Sequence, residues 1–357
     1  MTNILALPDA HRRRGLVPGA ERIVDLFAHH RHGPGDARWL KENAEVLRLL
    51  VTTGQTLAPE VLERIHADIA RDLPERMAFF PQYYRFFLSI ALDLAALGLP
   101  GLDAEAMVAQ ATADGLPEAE LSDLQRAEAR LFALRAGVAS VDDPGLTGRL
   151  LRFGSRAATF ALPNKKAAYE LTHIAFYLSD YGRHSFDGAD SLRESLEFVG
   201  LVAWLEQNTD LLAEVCVALR FCGATPPAAW EDGVADDLAG FRISATVGVA
   251  GADDYHTWLM AAWSVSATGG TPLNRPLPGG SLCFAGPRRP SALHEVSAAL
   301  LDLDGARCPD WPLMRRRLAA RLSVSALEIL DHAALSTPAF EPFFARFARV
   351  APKGFAA

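Results

Sequence analysis

Apolar residues recur at three- and four-residue spacing along most of the chain: Ala20 to Ala28, Leu40 to Val51, Val61 to Ile69, Phe86 to Leu97, Leu124 to Leu134, Leu171 to Leu178, Leu192 to Leu205 and Leu211 to Phe221. That spacing marks helices with one face in a core. Gly54, Gly98, Gly115, Gly137, Gly182 and Gly223 close several of these runs, where a left-handed residue ends a helix. Pro74, Pro117, Pro144, Pro163 and Pro309 stand near first helical positions, where the missing N–H costs nothing. The pattern predicts roughly fifteen helices of ordinary length. The fold class is all-α. Helix pairs follow one another at a pitch of roughly 30–45 residues, which suits helical hairpins closed into a ring, a partial toroid or a solenoid.

Two kinds of segment break the pattern. Phe241 to Val249 alternates apolar and polar, and predicts at most one short strand near 241–249, in need of a partner or else an extended loop. Asp142-Asp143-Pro144-Gly145 is a turn signature, and it divides an N-terminal helical half (1–140) from a C-terminal one (141–357), unless the two form one continuous domain. Thr268 to Pro290 is rich in glycine and proline, so no helix runs through it. Its Leu273, Leu277, Leu282 and Phe284 argue that it packs on the domain as a lid or collar.

Composition narrows the class. Half of the 357 residues are apolar and 22% are charged, which excludes a disordered chain. With 43 acidic against 35 basic residues, nucleic acid is not an expected partner. Four cysteines, none in a C-x-x-C pair, suit a reducing compartment. No apolar run reaches the ~18–20 residues of a membrane span, and Arg12–Arg14 precede no apolar signal core. The expectation is a cytoplasmic globular protein.

The richest chemistry sits on Lys166 to Gly182. On a helix, Ala167, Leu171, Ile174, Ala175 and Leu178 form an aliphatic stripe, while Lys166, Tyr169, His173, Phe176, Tyr177 and Asp180 form an aromatic and titratable row opposite. Two occupied faces place such a helix between a core and a cavity. His173, Tyr177 and Asp180 then read as a hydrogen-bonded set for a polar substrate. They read more readily as core residues whose polar tips find partners, with Arg183 or Lys166 to answer Asp180. Asn208 caps the next candidate helix, on which Asp210 and Glu214 share a face; dipole complementarity accounts for Asp210 and leaves Glu214 the more suggestive. Asp253 or Asp254 reads as an N-cap for a helix on which His256, Met260 and Trp263 share a face.

No nucleophile elbow, phosphate loop, dinucleotide fingerprint or H-E-x-x-H occurs. Glu170 to His173 matches half of a di-iron motif, which needs two such pairs. The cysteines have no zinc spacing. No metal is assigned and no cofactor is named. Phe79 to Phe87 is strongly aromatic and reads as core, with Pro81 starting or kinking a helix. Arg315–Arg317 with Arg321 reads as a solvated basic face that can also meet an acidic partner.

Thr172-His173…Phe176-Tyr177…Asp180-Tyr-Gly182, Asp210-Leu-Leu-Ala-Glu214 and Tyr255-His256-Thr257, in this order, resemble a bacterial group of helical proteins. The layout also resembles the α/α-toroid of terpenoid-cyclase-like proteins, which implies inner-helix residues around a central cavity. The cyclases' Asp-x-Asp-Asp motif is missing here, and with it the support for cyclisation by protonation.

These features converge on a small-molecule or peptide ligand in a cavity near His173, Tyr177, Asp180, Glu214 and His256. In an enzyme, His173 would serve as general acid or base, oriented by Asp180 or Glu214, with Tyr177 donating to an oxyanion. The alternative is a helical scaffold without chemistry, holding a partner protein.

Overall fold

A computed structural model describes residues 19–139, 142–246 and 253–350 of the chain. Within them lie 17 α-helices and one two-stranded sheet. The N-terminal helices are α1 (Gly19–His29), α2 (Ala37–Thr52), α3 (Pro59–Phe79), α4 (Tyr84–Ala96), α5 (Ala104–Ala113) and α6 (Asp123–Ala136). The middle of the chain forms α7 (Leu146–Gly154), α8 (Ala157–Phe160), α9 (Lys165–Leu178), α10 (Arg193–Glu206), α11 (Thr209–Phe221) and α12 (Ala228–Gly240). Strand β1 (Arg242–Ala245) precedes α13 (Tyr255–Ala267), and β2 (Leu282–Ala285) follows it. The chain then forms α14 (Leu293–Leu303), α15 (Trp311–Ala319), α16 (Val324–Ser336) and α17 (Phe340–Phe347).

Helix α11 is the axis of the C-terminal packing, in contact with α9, α10, α12 and α13. Its sequence explains why: Leu211 to Leu219 is buried on every side, as an all-round apolar helix must be. Glu214 is the charged residue within that stretch. On the other side, α2 packs on α1 and α4, while α6 packs on α4 and α9, and α2 also touches α13. The helices of both halves therefore share one boundary, and the candidate site lies along it.

Backbone chemistry at the helix ends follows the sequence. Gly54, Gly98, Gly115, Gly137, Gly182 and Gly223 all have positive φ. Asn208 caps α11, its Oδ1 accepting from Leu211 N at 3.2 Å. Pro74 departs from expectation. It lies inside α3, because the stripe Leu62, Ile65, Ile69, Leu73 and Met77 is buried as one face and carries the helix past the proline. Pro81 opens a 3₁₀ turn at 81–83, and the chain direction changes there. Tyr84 and Phe87 enter the core, but Phe79 and Phe80 fall at the turn and stay exposed, contrary to the core reading of the whole aromatic run.

The predicted strand is present over Arg242–Ala245, while 247–249 lie outside the described residues. Its antiparallel partner is Leu282–Ala285, with Ile243 opposite Phe284. That partner comes from the glycine- and proline-rich segment, which is thus a strap and not a free loop. Leu273, Leu277, Leu282 and Phe284 are buried. Arg22 of α1 holds the strap, Nε donating to the Pro278 carbonyl at 2.6 Å and Nη2 to the Gly280 carbonyl. The paired aspartates serve the same strap. Asp253 accepts from both terminal nitrogens of Arg31 at 3.0 Å and from Phe284 N, and Asp254 accepts from Gly286 N at 2.9 Å. Neither side chain caps α13, because these partners outcompete the helix N–H groups.

One close helix contact is testable. A Cβ on Gly200 of α10 would stand 2.2 Å from Cζ3 of the fully buried Trp230. Gly200→Ala should therefore lower stability by about 2 kcal/mol through overpacking, despite alanine's better helix propensity. Urea melts at equal m-value check this; an unchanged midpoint would mean that the indole moves aside freely.

Candidate active site

A cavity of about 240 Å³ lies where α2, α4 and α6 meet α9, α11 and α13. That is at the small end of ligand sites. Its floor is aromatic: the Phe176 and Trp263 rings sit 4.9 Å apart, and Phe86, Tyr177 and Tyr181 continue the wall. Helix α9 sits as predicted, with Leu171, Ile174 and Ala175 in the core and His173, Phe176 and Tyr177 on the cavity. His256, Met260 and Trp263 share the cavity face of α13.

Four of the five expected site residues line this space: His173, Tyr177, Glu214 and His256. Asp180 does not. The α-helix stops at Leu178, and Asp180, Tyr181 and Gly182 all take left-handed φ (48°, 53° and 82°), so the helical spacing from Tyr177 ends there. Asp180 swings to α6, where Arg135 Nε donates to it at 2.6 Å, and Arg183 stands 3.7 Å away. It faces a separate groove and cannot orient His173. Residues 268–290 supply none of the cavity's lining, so the strap is no lid over it.

The orienting groups are different ones. His173 Nδ1 lies 2.8 Å from the Tyr169 carbonyl, which can only accept, so that nitrogen carries a proton and Nε2 is the ring nitrogen left for a ligand. Glu214 is 2% exposed, and Thr172 Oγ1 donates to its Oε2 at 2.6 Å. His173 Nδ1 stands 3.8 Å from the same oxygen. Burial pushes the Glu214 carboxyl above its usual range, and the nearby His173 offsets this only in part.

His256 is driven the opposite way. Burial disfavours its charge, but the hydrogen bond from Nδ1 to Asp210 Oδ1 at 2.6 Å and the charge of that carboxylate prevail, raising the imidazole to about 9. Asp210 also accepts from the Tyr169 hydroxyl at 2.7 Å. Burial works against its ionisation too; with His256 as partner it nonetheless stays below the ordinary carboxylate range. Asp210 is therefore more than a dipole partner for α11. His256 Nε2 lies 3.7 Å from Glu45 Oε1. An imidazole raised above its usual value and a carboxyl raised above its own thus line one small cavity, titratable groups that burial and partners tune for proton transfer.

Tyr177 is half-buried, its phenol raised well above the usual value by burial and then by Glu128. It stays a hydroxyl donor. The residues that periodicity alone overlooks are Lys41, Glu45 and Arg48 on α2, Arg85 on α4 and Glu128 on α6. Lys41, Glu45 and Arg48 recur at one-turn spacing and read as a solvated charged face. Only Arg48 among them is buried; Lys41 is exposed at the rim, and nothing in the helix's own sequence distinguishes the stripe from a solvated one.

Among the described residues, no group of three or more His, Cys, Asp or Glu side chains is arranged to hold a metal ion, and no helix is long and apolar enough to cross a membrane. No curated protein and no solved structure matches the chain. The model of one family, described as a domain of unknown function (DUF6902), matches residues 1–350, and the chain belongs to that family.

Proposed function

We propose that the chain binds a small molecule in this cavity and moves a proton on it. One observation carries the reading: Glu214, nearly inaccessible and bonded by one hydroxyl, lines the same cavity as the His256 imidazolium on the neighbouring helix α13. In this reading Glu214 and the Nε2 of His173 exchange the proton, His256 stabilises negative charge that develops, and Tyr177 donates a hydrogen bond. Six helices contribute to the wall, which supports a partial ring around a central site. The resemblance to α/α-toroid proteins belongs to the same proposal. Four free thiols suit a reducing, cytoplasmic setting.

Mass spectrometry of the denatured, freshly purified protein tests the binding. A small molecule should co-purify with the unaltered chain and be lost from Ala44→Phe, which fills the cavity from α2, and from His173→Ala, with cooperative melting retained in both. Equal recovery of every small molecule from all three proteins would overturn the reading.

A further inference from the structure

We propose, building on the binding reading above, that the ligand is a small organic cation, an amine on an apolar or aromatic body, whose ammonium group rests on Glu214. The wall gives every protein cation a protein carboxylate. Lys41 lies 3.5 Å from Glu45, and Arg48 lies 3.0 Å from Asp93 with its guanidinium 4.7 Å over Tyr181. Arg85 bonds Glu120 at 2.9 Å and Glu128, and His256 bonds Asp210.

Glu214 is the carboxylate left without such a match. Among the described residues it accepts from the neutral Thr172 hydroxyl, with His173 at 3.8 Å, a ring already engaged with a backbone carbonyl; the His256 charge acts on it only at a distance, being bonded to Asp210. A carboxylate 2% exposed and without a directly bonded cation is costly to ionise, and a cationic ligand lowers that cost by supplying one. The surroundings favour the same class. Phe176, Trp263 and Phe86 line the cavity, and aromatic rings attract cations, while Met260 adds apolar surface for the body of the molecule. An anion placed there would meet Glu45, Glu128 and Glu214, while Lys41, Arg48, Arg85 and His256 beside them already have carboxylate partners.

Benzylamine, benzyl alcohol and benzoate, equal in size and different in charge, separate the possibilities by calorimetric titration of the full chain near neutral pH. Benzylamine should bind at least ten-fold more tightly than the alcohol, and benzoate more weakly than either. In Glu214→Gln the amine should fall to the affinity of the alcohol, whose own binding persists. Benzoate binding best would overturn the cation assignment and point to Arg48, with the cavity reading intact. Equal affinities for amine and alcohol would also overturn it. Absence of binding by all three probes, with no ligand lost from Ala44→Phe, would remove both readings. The three-probe comparison on the unaltered chain decides the matter even if Glu214→Gln does not fold.

Discussion

Replacing Asp210 by asparagine should lower stability by about 3 kcal/mol at pH 7 and abolish most of the alkaline loss of stability. The reason lies in one buried pair. His256 holds its proton to about 9 in the fold, against about 6.5 for an unfolded histidine. A base whose folded value is raised stabilises the fold fully below the unfolded value, and that stabilisation disappears as the pH climbs through the folded one. The window thus runs from about 6.5 to about 9, and a shift of that size corresponds to about 3 kcal/mol. The amide oxygen of the Asp210→Asn variant would still accept from Nδ1, at the distance the carboxylate now does, but would supply no charge to offset the burial of the imidazole. Denaturant melts across pH 6 to 10, with the His256 ring followed by NMR, measure both effects. A variant that keeps the same alkaline decline, or a His256 ring that titrates near 6.5 in the unaltered protein, would show that Asp210 does not hold the proton.

The helices were legible because their information is local. Apolar spacing and αL glycines placed α2, α4, α6, α9, α10 and α11 without reference to anything distant. The two-faced character of α9 was legible for the same reason, since Tyr169, His173 and Phe176 recur once per turn whatever they touch. What periodicity could not carry was any feature decided across the chain. Asp180 shares a helical face with Tyr177 only while the helix lasts, and the left-handed run at 180–182 turns it toward Arg135, 45 residues earlier. Asp253 and Asp254 have the chemistry of caps, but a strand pairing with β1 brings Phe284 N and Gly286 N within their reach, and the connection after α1 brings Arg31. Asp210 fits the dipole of its own helix equally well whether or not His256 stands opposite. The site is made of such choices. Its α2 wall escaped notice because a charged stripe has one appearance in sequence and two fates, water or a lined cavity.

Burial without a partner governs the acid side. His66 on α3 is fully buried, and neither ring nitrogen has a hydrogen-bond partner among the described residues. Burial, with a smaller contribution from His29, depresses it to about 4. A base whose folded value is lowered leaves the fold undisturbed above the unfolded value near 6.5. It costs stability as the pH falls from there toward about 4, where the unfolded chain takes up a proton that the folded one refuses. The full cost is about 3 kcal/mol. His66→Leu removes the titration and replaces two stranded polar atoms with apolar ones among Leu62, Ile65, Ile69 and Leu73. It should therefore raise stability by about 1–2 kcal/mol at pH 7 and widen its lead by about 3 kcal/mol between pH 7 and 4. The difference between the two proteins isolates this ring from the carboxylates that titrate in both. A constant difference across that range would show that His66 gains a partner or water in solution, and its buried neutrality would no longer limit the fold in acid.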